Sequence, residues 1–280
     1  MSLDLYICAM IWNRIASFVR YYLKAKTKYN VQSTFLYDFI VHVLDTDKEY
    51  YVFAKIEEQR KWLLSIKTKI TKIDFGAKRI QKQKPISISS IAKKTLSSEK
   101  KCRLIFNTIQ RYRSKNIIEL GTSLGISAAY MASVANDSKV VTIDGDSQII
   151  SYASMVHKNL DIQNITILNG HFDEILAKAL DVSKKYDLIY IDGNHSMEPT
   201  IRYFETLLPV CHNDSIFILD DINWSPDMTL AWDYIKAHPK TTLSIDLYGV
   251  GFIFLKKELS KQDFVYISYK FKPWCIGLFG

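Results

Sequence analysis

The stretch Asn116-Ile-Ile-Glu-Leu-Gly-Thr-Ser-Leu-Gly125 constrains this chain more than any other, because an apolar run ending in an acid and two glycines marks a strand breaking into a tight turn. A second apolar run, Lys139-Val-Val-Thr-Ile-Asp144, ends in a carboxylate 19 residues after Gly125. Two more end the same way, Leu188-Ile-Tyr-Ile-Asp192 and Ile216-Phe-Ile-Leu-Asp220-Asp221. Parallel strands bring their carboxyl ends to one edge, and ligands of open α/β sheets bind outside that edge. Four acid-bearing strand ends therefore describe a site.

From residue 97 onward the pattern is regular. A helix from Ser97 to about Arg113 precedes strands at 116–120, 139–143, 164–168, 187–191 and 215–219, alternating with helical stretches, which is a doubly wound α/β sheet. Thr241–Leu247 and Gly251–Leu255 are then linked too tightly for a parallel crossover, so one of them runs antiparallel to its neighbour. Upstream, residues 3–24, Phe35–Leu44 and Tyr50–Ile66 carry apolar residues at spacings of three and four. Between about Thr71 and Ser90 that period is lost around Gly76 and Pro85, as in a connector or flap. The linear organisation is a helical extension over 1–73, a connector over 74–96, an α/β domain over 97–257 and a tail over 258–280.

Composition narrows the class. A chain of 280 residues that is 48% hydrophobic can bury a substantial core. Cys8, Cys102, Cys211 and Cys275 stand far apart without CxxC spacing, so neither a disulfide framework nor a zinc site is indicated, and a reducing cytoplasm is the expected location. No apolar run approaches a membrane span, and Leu3–Trp12 lacks a basic leader and cleavage site. Residues 1–115 hold 24 Lys/Arg against 9 Asp/Glu, whereas residues 116–280 hold 13 against 20. That asymmetry fits either a solvated lysine-rich surface or an arm that meets phosphates or anionic lipid.

The residue types suit a nucleoside-like ligand. Gly121 and Gly125 permit close backbone approach, and Gly125 opens a helix whose amides can meet a carboxylate. Glu119 suits a cationic ammonium. Asp144, followed by Gly145, can accept both hydroxyls of a ribose. Phe172 and Asp173 are placed for an adenine, one by packing and the other by accepting from its amine. The plainer alternative is that the glycines make a strand–helix turn and the acids cap helices.

Over about residues 97–257 these features resemble the class I S-adenosylmethionine-dependent methyltransferases. The family's acid-x-Gly-x-x-x-Gly motif is matched by Glu119-Leu-Gly121-Thr122-Ser123-Leu-Gly125, joined by Asp144, by Gly170-His-Phe172-Asp173 and by Asp192. The resemblance implies a seven-stranded, mostly parallel Rossmann-like sheet with an antiparallel last strand, and S-adenosylmethionine as cofactor. Asp192, Asp220 and Asp221 resemble the acidic ligands of the catechol O-methyltransferase type, which implies a site for Mg²⁺; capping or substrate contact are the alternatives for the same acids. His195, in Asp192-Gly-Asn-His195, stands where related enzymes place a base, alongside Asp192, and a helix-capping role is equally open. Ser33-Thr-Phe-Leu-Tyr-Asp-Phe39 and Asp74-Phe-Gly-Ala77 also look like the N-terminal region of a bacterial methyltransferase group, with Lys78-Arg79 departing from it.

The function this implies is methyl transfer to a small-molecule acceptor, at a hydroxyl oxygen. The N-terminal helices are expected to cover the acceptor, to form a homodimer, or to make peripheral membrane contact that presents a lipid or isoprenoid acceptor, the alternative being a lipid methyltransferase that uses this basic region. A nucleic-acid methyltransferase is disfavoured, since Asp192-Gly-Asn-His195 replaces the Asn/Asp-Pro-Pro-Tyr arrangement such enzymes use to hold a base. A Rossmann dehydrogenase lacks its Gly-x-Gly-x-x-Gly here. A non-catalytic scaffold with the same fold is the remaining alternative.

Overall fold

The structure is a computed structural model, and it describes residues 3–71, 73–74, 81–82, 85–180 and 183–273. The connector positions Gly76, Ala77, Lys78 and Arg79, and Cys275, lie outside the described residues. In chain order the helices are α1 (Leu3–Lys24), α2 (Thr34–Phe39, prolonged by a π-helical turn at Ile40–Leu44), α3 (Tyr51–Ser65), α4 (Ile88–Thr95) and α5 (Glu99–Tyr112). They continue as α6 (Ile126–Ala132), α7 (Ser147–Asn159), α8 (Phe172–Ala179), α9 (Met197–Leu207) and α10 (Pro226–Ala237). The strands of the large sheet are β1 (Asn116–Leu120), β2 (Lys139–Asp144), β3 (Ile165–Asn169), β4 (Tyr186–Ile191), β5 (Cys211–Asp220), β6 (Leu243–Asp246), β7 (Val250–Phe254) and β8 (Gln262–Val265), besides two-residue strands at Lys69–Ile70, Ile73–Asp74, Gln81–Lys82 and Ile86–Ser87 that pair in two small antiparallel ribbons.

Strands β1 to β8 form one mixed sheet in the order β8-β6-β7-β5-β4-β1-β2-β3. The antiparallel member is β7, which runs against both β5 and β6. The expected seven-stranded sheet is thus met with one strand more: β8 pairs parallel to β6, inside the segment read as a tail. Its four residues, Gln-Asp-Phe-Val, bury only Phe264 fully, so no apolar run announces it.

The chain divides into two compact units, and the division does not follow the linear segments. One unit comprises residues 46–193 with 209–211. Its strands β1, β2, β3 and β4 are parallel neighbours, β4-β1-β2-β3. The runs Ile117-Ile118 and Leu188-Ile189-Tyr190 are buried throughout, as expected of strands covered on both faces. The helices start where side chains satisfy amides left without intrahelical partners: Ser87 accepts from Ser90 N, Ser98 from Lys101 N, and Asp146 from Gln148 N and Ile149 N.

Helix α4 falls where the sequence reads as a connector. Its polar start, Ile-Ser-Ser, hides an apolar face of Ile88, Ile91 and Ala92, all buried. It packs with Phe53, Ile56 and Leu63 of α3, Cys102 and Phe106 of α5, and Ala129 and Tyr130 of α6. Phe53 meets Phe106 edge-on at 4.9 Å and Tyr130 at 5.2 Å.

The second unit gathers residues 1–45, 194–208 and 212–280. Here α1 leads to Lys26, which bridges Tyr266 just beyond β8, with Lys26 N donating to Val265 O and Ile267 N to Lys26 O. Phe39 of α2 packs edge-on against Phe252 and Phe254 of β7. Ser225 caps α10, whose first residue is Pro226. At its other end the Lys261 ammonium, one residue before β8, donates to the carbonyls of Lys236, His238 (3.2 Å) and Thr241 (2.8 Å). Among the described residues no helix is long and apolar enough to cross a membrane.

Because Phe53 is 1% exposed among aromatic neighbours, Phe53→Ala is expected to cost about 3 to 5 kcal/mol of stability. Denaturant unfolding of the full chain measures it, and a loss within about 0.5 kcal/mol, as at a surface position, would contradict the packing described for α3.

Candidate functional site

The loop Gly121–Gly125 leaves β1 through two left-handed glycines and a left-handed serine: φ is +112° at Gly121, +45° at Ser123 and +81° at Gly125. Gly121 N and Thr122 N both donate to Ile143 O of β2, and Gly125 N donates to Thr122 O. A Cβ on Gly121 would stand 2.1 Å from the carbonyl oxygen of Asp192. One on Gly125 would stand 2.7 Å from His157 Nε2 and 2.8 Å from Ala153 Cβ. Both glycines are therefore required by the protein's own packing as well as by their dihedrals, a stricter reason than room for a ligand. His157, absent from the sequence-derived set, is buried on α7 and donates from Nε2 to Gly125 O at 2.9 Å, since a carbonyl can only accept. Burial depresses its pKa, which favours the neutral ring.

Glu119 sits differently from expectation. It is 0% exposed; Ser127 Oγ donates to Oε1 and Thr142 Oγ1 to Oε2, each at 2.5 Å. Thr122 is buried as well and shares a 2.6 Å hydrogen bond with Thr142. The acid that was to meet an ammonium is thus enclosed, and it ties β1, β2 and α6 together beneath the loop. Burial pushes its carboxyl up to about 7, opposed by the two hydroxyl hydrogen bonds and reinforced by the charge of Asp144.

Asp144, at the end of β2, is half-buried; its Oδ2 accepts from Ser123 N at 2.8 Å and its Oδ1 from Asp146 N at 3.1 Å. Gly145 follows it in the turn to α7. At the end of β4, Asp192 is also half-buried, and its Oδ2 accepts from Tyr190 OH at 2.9 Å and Ser97 Oγ at 3.1 Å. Because β1 is hydrogen-bonded to β2 on one side and β4 on the other, these carboxylates flank the glycine loop on one edge. Phe172 opens α8, and a Cβ on Gly193 would stand 2.6 Å from its ring. Asp173 lies 3.4 Å from His171 Nδ1.

The segment joining α4 to α5 holds this edge from the side, which the sequence does not signal. Thr95 Oγ1 and Ser123 Oγ share a 2.8 Å hydrogen bond, and Ser97 reaches Asp192. Behind Ser97, Arg60 of α3 donates to Ser97 O at 2.8 Å and to Glu57 Oε2 at 2.7 Å, while Tyr130 OH donates to Glu57 Oε1 at 3.0 Å. Glu57 and Arg60 are legible as an i,i+3 helix pair; their target, 37 residues on for Arg60 and a further 95 from Ser97 to Asp192, is not.

In the other unit, His195 is exposed on the loop before α9, and Ser196 rather than His195 holds the N-cap position. Asp220 is 3% exposed, and its Oδ1 accepts from Asp221 N at 2.8 Å. Asp221 has φ of +54°, and its carbonyl accepts from Trp224 N. Asn223 donates to Tyr248 O at 3.0 Å and accepts from Ser17 Oγ of α1 at 3.4 Å. The Arg14 guanidinium stacks over Trp224 at 4.3 Å. Among the described residues no three His, Cys, Asp or Glu side chains form a group able to hold a metal ion. Of the acids expected as Mg²⁺ ligands, Asp192 lies in one unit and Asp220 and Asp221 in the other.

Comparison with known proteins bears on the fold. Residues 118–222 match the family model described as a methyltransferase domain. A catechol O-methyltransferase of Niastella koreensis is 27% identical over 119 residues, 40% of this chain and 52% of that protein. A putative O-methyltransferase of a Mycobacterium species is 26% identical over 89 residues, 31% of this chain and 40% of that protein. The chain thus spans about half or less of the length of these curated relatives. Among solved structures, a Podospora anserina methyltransferase bound to SAH superposes with a TM-score of 0.55 at 17% identity, covering 72% of this chain and 88% of that one. An O-methyltransferase from Bacillus cereus in complex with SAH gives 0.53 at 16%, covering 79% and 97%. The Rossmann-like methyltransferase fold expected from the sequence is borne out.

Two outcomes test the loop and its anchor. Gly121→Ala is expected to lose at least about 2 kcal/mol, since strain and overlap with the Asp192 carbonyl add; a thermal midpoint equal to the parent's would refute the close approach. Glu119 contributes stability fully below the ordinary glutamate value of about 4.3, and that contribution fades as pH rises through about 7. Glu119→Gln should accordingly flatten the pH dependence of unfolding between those values, as read by urea titration at stepped pH.

Proposed function

We propose that this chain is an S-adenosylmethionine-dependent methyltransferase that acts on a small-molecule acceptor at a hydroxyl oxygen. The observation that carries the reading is the placement of Asp144 and Asp192 on either side of the glycine loop at one sheet edge. Asp144 has the chemistry and position to accept both ribose hydroxyls. Asp192, half-buried and held by Ser97 and Tyr190, takes the role of partner for the ammonium, while the enclosed Glu119 positions the loop. Phe172 and Asp173 are assigned to the adenine, by packing and by accepting from its amine.

When bound, the cofactor supplies a methyl group on a sulfonium, an electrophile that needs no further activation by the protein. The chain's residues then have to hold the acceptor oxygen in line with that carbon and receive the proton it releases. His195, exposed on the loop before α9, is assigned to receive the proton. Trp224, stacked by Arg14, and Asn223, fixed by Ser17 and Tyr248, form one wall for the acceptor, so that α1 roofs this loop. No step is assigned to a metal.

Calorimetry with S-adenosylmethionine and S-adenosylhomocysteine tests the reading. Binding near the micromolar range is expected, weakened at least about tenfold by Asp144→Ala or Asp192→Ala and several-fold by Ser97→Ala, each change removing one hydrogen-bonding group. Absence of heat with both nucleosides would overturn the assignment. Unaltered affinity in Asp144→Ala would overturn the role given to that residue.

A further inference from the structure

We propose that the outward face of α1 docks the protein on an anionic lipid surface. Helix α1 has two faces of different fate. Toward its own unit, Ser17 donates to Asn223, Tyr21 OH to Tyr266 O, and Phe18 and Tyr21 pack on Tyr248 at 5.2 and 5.3 Å. Away from it stand Trp12, Ile15, Val19 and Leu23, spaced by three and four residues and therefore on one side of the helix. They are 68%, 50%, 47% and 73% exposed. Phe271 is 61% exposed, and its backbone carbonyl accepts from Tyr22 OH of α1 at 3.0 Å. A contiguous apolar strip of this kind marks an interaction site rather than scattered surface residues.

Charge selects the occupant. From Leu5 to Tyr37 the chain has no Asp or Glu, while Arg14, Arg20, Lys24, Lys26 and Lys28 all fall in that interval. Arg14 is held on Trp224, and Lys28 lies 3.6 Å from Asp45. Arg20, Lys24 and Lys26 are exposed along the helix and just past its end, and Lys270 is exposed beside Phe271. A second copy laid on this face would set one cationic helix against another. An anionic bilayer covers the apolar strip and offsets these charges together, with the long basic side chains reaching the headgroups and Trp12 at the interfacial level. The helix lies in the interface rather than spanning it, in keeping with its hydropathy. The inference stands independently of the cofactor assignment.

Co-sedimentation of the full chain tests it, with phosphatidylserine–phosphatidylcholine vesicles beside vesicles of phosphatidylcholine alone. Pelleting with the anionic vesicles, reduced by raised salt and weakened about tenfold or more by Val19→Glu/Leu23→Glu and by Arg20→Glu/Lys24→Glu, is expected. All four side chains are exposed, so circular dichroism and thermal midpoints of both variants should match the parent. Equal or no retention on the two vesicle types overturns the proposal. So does a lipid-free dimer, seen by light scattering, that Val19→Glu/Leu23→Glu dissociates, because the face then belongs to a second copy. The comparison of the unaltered chain on the two vesicle types decides the matter even if a variant is poorly folded.

Discussion

The close approach of Gly121 to the carbonyl of Asp192 is the constraint from which the candidate site follows. A side chain at that position would overlap the neighbouring strand's end, so β1 and β4 can finish side by side only if the backbone there is bare. Once they do, Asp192 N donates to Leu120 O, the loop turns back over β2, and the acids of two flanking strands face one edge. Glu119, Thr142, Thr122 and Ser127 then form a small polar knot below the loop, every member satisfied by another. Such a knot contributes little net stability compared with apolar packing, but it leaves the loop few alternative conformations.

The position of a carboxylate relative to that knot decides what it can do. Glu119 lies in β1 and Asp144 at the end of the adjacent β2, yet one is enclosed and drawn toward its neutral form while the other is half-buried with backbone amides directed at it. The difference comes from strand geometry: successive side chains alternate faces, and the last residue of a strand escapes the layer that covers its interior. The chemistry thus concentrates in terminal residues, and interior ones of the same type serve as fasteners.

Much of this was legible in the sequence because it is written in local patterns. Apolar runs ending in Glu119, Asp144 and Asp192 gave the strands β1, β2 and β4 and their edge, and the short Leu247–Val250 link gave the antiparallel β7. What escaped depends on distance along the chain. Ser97 reads as a residue before a helix cap, and only the fold brings it to Asp192; His157 reads as a residue on a helix, and only the fold sets it on Gly125. Glu119 reads as an acid at a strand end, and nothing in its neighbours announces the two hydroxyls that enclose it. Helix α4 was hidden by its serines, and β8 by the absence of an apolar run, since an edge strand needs to bury one face along one side only.

Lys261 illustrates how such distant ties shape the molecule's breathing. Its ammonium collects carbonyls around the end of α10, where the helix dipole leaves partial negative charge, while Gln262 beside it donates to Thr242 O and begins the ladder of β8. The last turn of α10 and the outermost strand are therefore fastened by one side chain. Fraying of the sheet's edge would release the helix end with it, so the two should exchange their amide hydrogens as a single cooperative unit rather than independently.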